Sequence, residues 1–400
     1  MQSSRTFDIV LLGATGFTGG LTARYLAATA GEIRWALAGR NQAKLAAVKS
    51  SLRCDGASQP ELVSADVADR ASLDALAASS RVVISTVGPY LRHGEPLVAA
   101  CAQAGTDYVD LTGEPPFVDR MIERYHAQAV ASGAKIVHAC GFDSIPHDLG
   151  ALFTVRALER RVPGGSLADL PVTIEAFVRT RGGISGGTWQ SLLTIMSETS
   201  PFARRTAAPP LPGRHVEQLT GGIRYRSELG LWALPMPSID PEIVCRSGRL
   251  SARYGREFRY GHYLGLKRLP QVAGLVGGMG ALFALSKSSI ARELLGKLRP
   301  SGTGPSAEER ARSYFRVVFL GQAGDARVRC EVRGGDPGYG ETAKMLAESA
   351  LCLAFDRERL PEQSGVITSA AAFGEVLIDR LARAGILFEE EPFLERGGRA

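Results

Sequence analysis

Apolar and polar positions along the first 140 residues form a repeating pattern. A short apolar run is followed by a stretch with helical spacing, and the pair recurs. The apolar runs lie at 9–12, 33–38, 61–64, 81–86, 106–111 and 134–139. Helical spacing covers the stretch through Leu21, Tyr25 and Leu26, then about 41–52, 70–78, 94–104 and 115–131. Strands alternating with helices predict a parallel sheet joined by right-handed crossovers. Such sheets take their ligands beyond the carboxyl ends of the strands.

The pattern changes after His138. Over 172–179 the residues Val172, Ile174, Ala176 and Val178 share one face, and Thr173, Glu175, Phe177 and Arg179 the other. Over 326–333 an apolar face of Ala326, Val328, Cys330 and Val332 backs a charged face of Arg327, Arg329, Glu331 and Arg333. The run 314–320 joins it through a glycine-containing loop and reads as a hairpin. Period-two alternation predicts antiparallel strands covered on one side. The fold expected is α/β: an N-terminal Rossmann-type doubly wound parallel sheet and a second α+β domain with an antiparallel sheet. The divisions expected are 1–140, 141–335 and 336–400. The last holds helices at about 341–355 and 373–384 that pack back on the first. A segment rich in Pro, Ala, Gly and Arg, 200–222, reads as a loop or flap.

The first strand ends in Gly13-Ala14-Thr15-Gly16-Phe17-Thr18-Gly19. Glycines there let the backbone approach a diphosphate, and the first turn of the next helix offers unpaired N–H groups and a positive dipole end. The second strand ends in Gly39-Arg40, where NAD-selective sites usually place a carboxylate. A guanidinium pairs with a ribose 2′-phosphate instead, so the expected cofactor is NADP(H), with Arg40 as the discriminator. Asp66, at the end of the third strand, is placed near the adenine. The stretch Thr86-Val87-Gly88-Pro89-Tyr90 ends the fourth. With Asp110, Glu114 and Asp143 it should converge on one crevice.

Composition narrows the field. The chain has 400 residues, 45% of them hydrophobic, a length that suggests two domains. A net charge of +6 is spread without a basic block, which argues against nucleic acid. Six separated cysteines argue against a disulfide framework or a metal site and fit a reducing cytoplasm. The start of the chain carries no signal-peptide pattern. The stretch 269–286 has no charged residue and is flanked by Lys267, Arg268, Lys287 and Arg292. Its length just reaches that of a membrane span, but its glycines and Pro270 lower its hydrophobicity. A core or subunit-interface helix is the first reading, a peripheral membrane or lipid contact the second, and a span the third.

The motifs Gly13 to Gly19, Ala38-Gly39-Arg40, Thr86 to Tyr90, Tyr108-Val109-Asp110-Leu111-Thr112-Gly113-Glu114 and Gly141-Phe142-Asp143-Ser144-Ile145-Pro146 occur in this order. The set resembles the saccharopine dehydrogenase-like oxidoreductases, closest to the branch of trans-acting enoyl reductases of mycobacterial lipid synthesis. Gly335-Asp336-Pro337-Gly338-Tyr339 and 365–374 fit the same branch. His147 departs from it, where a small polar residue is expected. The resemblance implies NADP-dependent reduction of a carbon–carbon double bond in an acyl or polyketide chain carried on a separate synthase. Catalytic candidates are Tyr90, Asp143, Ser144 and His147. Each has a plainer reading: Tyr90 as a wall for the nicotinamide, Asp143 and Ser144 as helix caps, His147 as a surface helix residue. No Tyr-x-x-x-Lys pair supports a short-chain dehydrogenase mechanism. The rival readings are a saccharopine-type C–N oxidoreductase, using arginines of 326–333 for substrate carboxylates, and a non-catalytic NADP-binding protein on lipid. A homodimer is also compatible with the sequence.

Overall fold

The structure, a computed structural model, describes residues 5–54, 59–182, 213–288 and 304–392. Seven parallel strands form the first sheet, in the order β14-β6-β5-β4-β1-β2-β3. These are β1 (Phe7–Leu12), β2 (Trp35–Gly39), β3 (Glu61–Ser64), β4 (Ser80–Ser85), β5 (Asp107–Asp110), β6 (Lys135–Val137) and β14 (Gly365–Ile367). The apolar runs made these strands because both faces are covered. Ile9 and Leu11 pack with Ala23 and Leu26 of α1 (Phe17–Thr29). Val10 and Leu12 pack with Leu73 and Leu76 of α3 (Arg70–Ser79), Val98 of α5 (Glu95–Ala104) and Met121 of α6 (Pro115–Ser132). That is the doubly wound arrangement expected from the alternation.

Eight strands form the second sheet. It runs β15-β13-β12-β7-β11-β10-β9, with β8 beside β11; β9 is Arg224–Arg226 and β10 is Leu231–Pro235. Its centre is β7 (Pro171–Arg181), β11 (Glu257–Leu266), β12 (Tyr314–Ala323) and β13 (Ala326–Gly334). The β12–β13 hairpin pairs in the register Phe319 with Cys330. The sheet is mixed: β11 runs parallel to β7 and to β8 (His215–Gln218). The apolar faces face inward as predicted, with Val172, Ile174, Ala176, Val178, Val328, Cys330 and Val332 all in one core with α7 (Ile145–Glu159). The polar face of β7 is also covered. Glu175 is bonded by Arg224 and by Arg226, the latter at 2.6 Å, and Phe177 stacks on Tyr263.

Helix α7 leads from the first sheet to the second. Helix α8 (Asp240–Leu250) lies beside it, then α9 (Leu269–Ser286), the short α10 (Ala307–Ala311), α11 (Gly340–Phe355) and α12 (Ser369–Arg383). The tail is divided. Helix α11 packs on α1, β4 and β5, β14 completes the parallel sheet, and β15 (Leu387–Glu391) pairs with β13. The loop expected over 200–222 lies outside the described residues up to 212, and β8 begins within it. None of the six cysteines forms a disulfide.

Helix α9 is not a core helix of this chain. Among its apolar residues Leu269, Leu275, Val276, Met279 and Leu285 are exposed, and only 11% of the helix is buried.

Candidate active site

The glycine turn between β1 and α1 is built for close packing. Gly13 has φ +98°, a value that side-chain-bearing residues rarely adopt. A methyl group there would stand 2.6 Å from the Thr86 hydroxyl, and one on Gly19 would stand 2.7 Å from the same atom. Thr86 itself donates to the Leu12 carbonyl at 3.2 Å. Gly16 is the N-cap of α1 and no side chain caps the helix there. The opening amides therefore face the mouth of the turn with Thr15 and Gly16 exposed beside them. A diphosphate satisfies such amides and suits the helix dipole. This row of residues fits the cofactor that the sequence implies. Gly13 to Thr18 would hold the diphosphate, and exposed Arg40, just past β2, would meet the 2′-phosphate.

Two of the expected ligands also have internal tasks. Phe17 meets the Tyr339 ring edge-on at 5.0 Å and lies under the Arg310 guanidinium at 5.7 Å. Asp66 accepts the Ala68 N–H at 3.0 Å, closing the turn after β3. Gly39 ends β2, and Ala14 is buried under the turn.

The carboxyl ends of β4 and β5 bring together 86–90, 110–114 and 139–144. Gly88–Pro89 and Asp143–Ser144 are cis peptides, and Ala139 is left-handed with φ 59°. Asp110 holds this region from the centre. Its two oxygens accept from Thr112 N and Ala139 N, each at 3.1 Å, and from the Tyr108 hydroxyl at 3.0 Å, and His138 Nδ1 lies 2.7 Å away. Glu114 accepts from the backbone N–H groups of Tyr90 and Leu91 at 3.0 and 2.8 Å. These carboxylates are committed to the backbone.

The four catalytic candidates are treated differently by the fold. Tyr90 is buried, its hydroxyl donating to the Ser85 carbonyl at 3.0 Å and accepting from Leu111 N at 3.2 Å. Burial, with Asp110 and Glu114 nearby, pushes that phenol well above its ordinary range. Its proton is therefore held within the wall. Ser144 is wholly buried at the start of α7 and its side chain does not cap the helix. The expectation of a surface His147 is corrected: the ring is 0% exposed, because α7 packs against α8 and the ring meets those of Phe142 at 5.1 Å and of His262, on β11, at 4.9 Å. Burial lowers its pKa to about 4, so the imidazole is neutral. Asp143 alone of the four is half-buried. A methyl on Gly113 would lie 3.7 Å from Asp143 Oδ2, which places the carboxyl beside the Thr112–Glu114 loop. Burial, then the charge of Asp240, pushes its pKa up to about 7.

Sequence reading missed Asp240 and His262. Both are fully buried beside His147. They lie far apart along the chain, on a helix start and on a strand, and no spacing rule connects them.

Two of the three β13 arginines, and Arg316 of β12, are engaged in ion pairs. Arg329 pairs with Glu391 at 2.8 Å and Arg333 with Glu389 at 3.1 Å, both on β15, and Arg316 with buried Glu331.

Comparison with known proteins agrees with this geometry. Residues 9–137 match the saccharopine dehydrogenase NADP-binding domain. A Mycobacterium tuberculosis protein bearing the name trans-acting enoyl reductase is 42% identical over 96% of this chain and 97% of its own. A trans-acting enoyl reductase of Mycobacterium bovis is 39% identical over 96% and 98%, and that of Mycobacterium leprae 38% over 96% and 97%. Among solved structures, saccharopine dehydrogenase (L-Glu forming) of Saccharomyces cerevisiae shares the fold. Its TM-score is 0.53 at 16% identity, covering 96% of this chain and 99% of that one.

Proposed function

This chain belongs to the trans-acting enoyl reductases of the saccharopine dehydrogenase-like oxidoreductase family, and we infer from that premise that it reduces the α,β double bond of an acyl or polyketide thioester carried on a separate synthase. It is an NADP(H)-dependent oxidoreductase. The observation that carries the reading is likeness to enoyl reductases along 96% of the chain.

When bound, the reduced nicotinamide supplies a hydride to the β-carbon. The chain's own residues hold and order the reactants. The glycine turn and Arg40 anchor the dinucleotide. Thr86 to Pro89, at the end of β4, lie where a nicotinamide-facing wall is needed. Glu114 fixes that wall by gripping the amides of Tyr90 and Leu91. Asp143 is assigned as the group that gives a proton to the α-carbon, which with the hydride yields the saturated thioester. Its half-buried position at the crevice supports the role, and a carboxyl titrating near neutrality keeps a protonated fraction there.

The test is loss of NADPH absorbance with an enoyl thioester, in wild type and Asp143→Asn. Wild-type oxidation of NADPH with formation of the saturated product is expected, with a loss of about 100-fold or more in the variant. Tight NADPH binding without turnover overturns the enzymatic reading, and turnover of saccharopine would install the C–N rival. The ion pairs that occupy Arg316, Arg329 and Arg333 weigh against that rival.

A second reading concerns location. Helix α9 is uncharged over 18 residues with a mean hydropathy of 1.5, exposed, and bordered by Lys267, Arg268 and Lys287. Apolar surface between basic ends suits the surface of an anionic bilayer, where the side chains enter the acyl boundary and the cations meet headgroups. Flotation with anionic vesicles tests it. Protein that stays at the bottom of the gradient overturns it.

A further inference from the structure

His147 on α7, Asp240 at the start of α8 and His262 on β11 form a closed cluster at the junction of both helices with the second sheet. One ligand atom of each lies within 4.8 Å of the others, and all three residues are buried. His147 Nε2 is 3.7 Å and His262 Nε2 is 3.4 Å from the same oxygen, Asp240 Oδ2. Neither is a good hydrogen-bond distance. Both are close to the roughly 3.3–3.4 Å that separates neighbouring ligands around a tetrahedral cation with bonds of about 2.0–2.1 Å. Both ring nitrogens of His147, Nε2 of His262 and Oδ1 of Asp240 are buried without a hydrogen-bond partner.

Charge points the same way. The Ser238 hydroxyl donates to Asp240 Oδ2 at 2.6 Å. Among the described residues no lysine or arginine pairs with Asp240. A buried carboxylate without a lysine or arginine partner is expensive unless something positive sits beside it. The supports that orient metal ligands are present too: Tyr260 bonds His262 Nδ1 at 3.2 Å and Ser238 bonds the carboxylate.

We propose that His147, Asp240 and His262 bind a divalent transition-metal ion of the zinc class. Two imidazoles and one carboxylate, with no thiolate, suit that class. The ion neutralises Asp240 and pins α7 and α8 to β11. The cluster is closed, so the role is to hold the fold, and none of its three residues belongs to the cofactor turn.

The test uses the full chain, stripped with chelator and titrated with Zn²⁺ by calorimetry, and with Co²⁺ by visible absorption. One equivalent per chain is expected, with the intense bands of low-coordinate cobalt and a melting temperature that rises with Zn²⁺ and falls with chelator. His262→Gln and Asp240→Asn should each weaken uptake at least tenfold, while His215→Gln, at an exposed histidine, leaves it unchanged. NADPH titration monitors folding of each variant. Should a variant fail to fold, the wild-type cobalt protein still decides. Hyperfine-shifted imidazole N–H signals from two histidines support the site, and their absence overturns it. No uptake by the stripped wild type, or stoichiometric uptake that survives both substitutions, also overturns it.

Discussion

Gly13 and the Thr86 hydroxyl are packed so tightly that a β-carbon on the glycine would stand 2.6 Å from that oxygen. The contact locks the first βα turn to the end of β4, so the amides proposed for the diphosphate and the segment proposed to face the nicotinamide are one unit. Gly13→Ala must therefore strain a left-handed backbone and push Thr86 away, at a cost of about 1–3 kcal/mol or more. Gly16 differs: it is exposed, its φ of −77° suits any residue, and a methyl would meet only Gly13 O at 3.4 Å. Gly16→Ala should melt within a degree or two of wild type yet bind NADPH at least tenfold more weakly. Calorimetry and fluorescence titration of both variants check the contrast.

Arg40→Ala should weaken NADPH about 10–100-fold, the worth of a lost charge-assisted phosphate contact, and leave NADH affinity nearly unchanged. Parallel titration with both dinucleotides measures it. Equal affinity for both in the parent would contradict the assignment.

Glu114→Gln replaces one acceptor oxygen by an NH₂ group that faces a backbone N–H. Either the Tyr90 or the Leu91 amide then loses its partner, at a cost of about 1–3 kcal/mol. Chemical denaturation should show the loss. Enoyl turnover should fall further than NADPH affinity does, since the substitution loosens the wall and leaves the glycine turn intact.

Lys135 is buried, and its ammonium donates to the Pro361 carbonyl at 2.6 Å and to that of Gln363. Burial, helped by Arg357 and opposed by Asp107, lowers its pKa to about 8. Between that value and about 10.4, the unfolded value, the unfolded chain binds the extra proton. Stability from this group therefore rises with pH across that window. Wild type should gain on Lys135→Met from pH 8 to pH 10 in denaturant titrations; parallel curves would refute the shift.

Helix α9 supplies a mutational check of its own. Val276 is 48% exposed and Leu275 37%. The double change Leu275→Asp, Val276→Asp should abolish flotation with anionic vesicles and leave NADPH affinity unchanged, because the helix lies outside the cofactor turn.

The sequence by itself determined six of the seven strands of the parallel sheet, the glycine turn and the β12–β13 hairpin. Each rests on neighbours in the chain: period, cap and turn chemistry act over a few residues, so local order is enough to read them. Tertiary structure alone decided what the side chains do once they meet. Tyr90, expected as a donor or a wall, spends its hydroxyl on Ser85 and Leu111. Arg329 and Arg333 of β13 and Arg316 of β12 meet glutamates, two of them more than fifty residues away on β15, a strand that no periodicity announced. His147 met Asp240 and His262 only because α7, α8 and β11 pack together. Contacts between distant segments are set by the whole packed core, and no local window of the chain contains them.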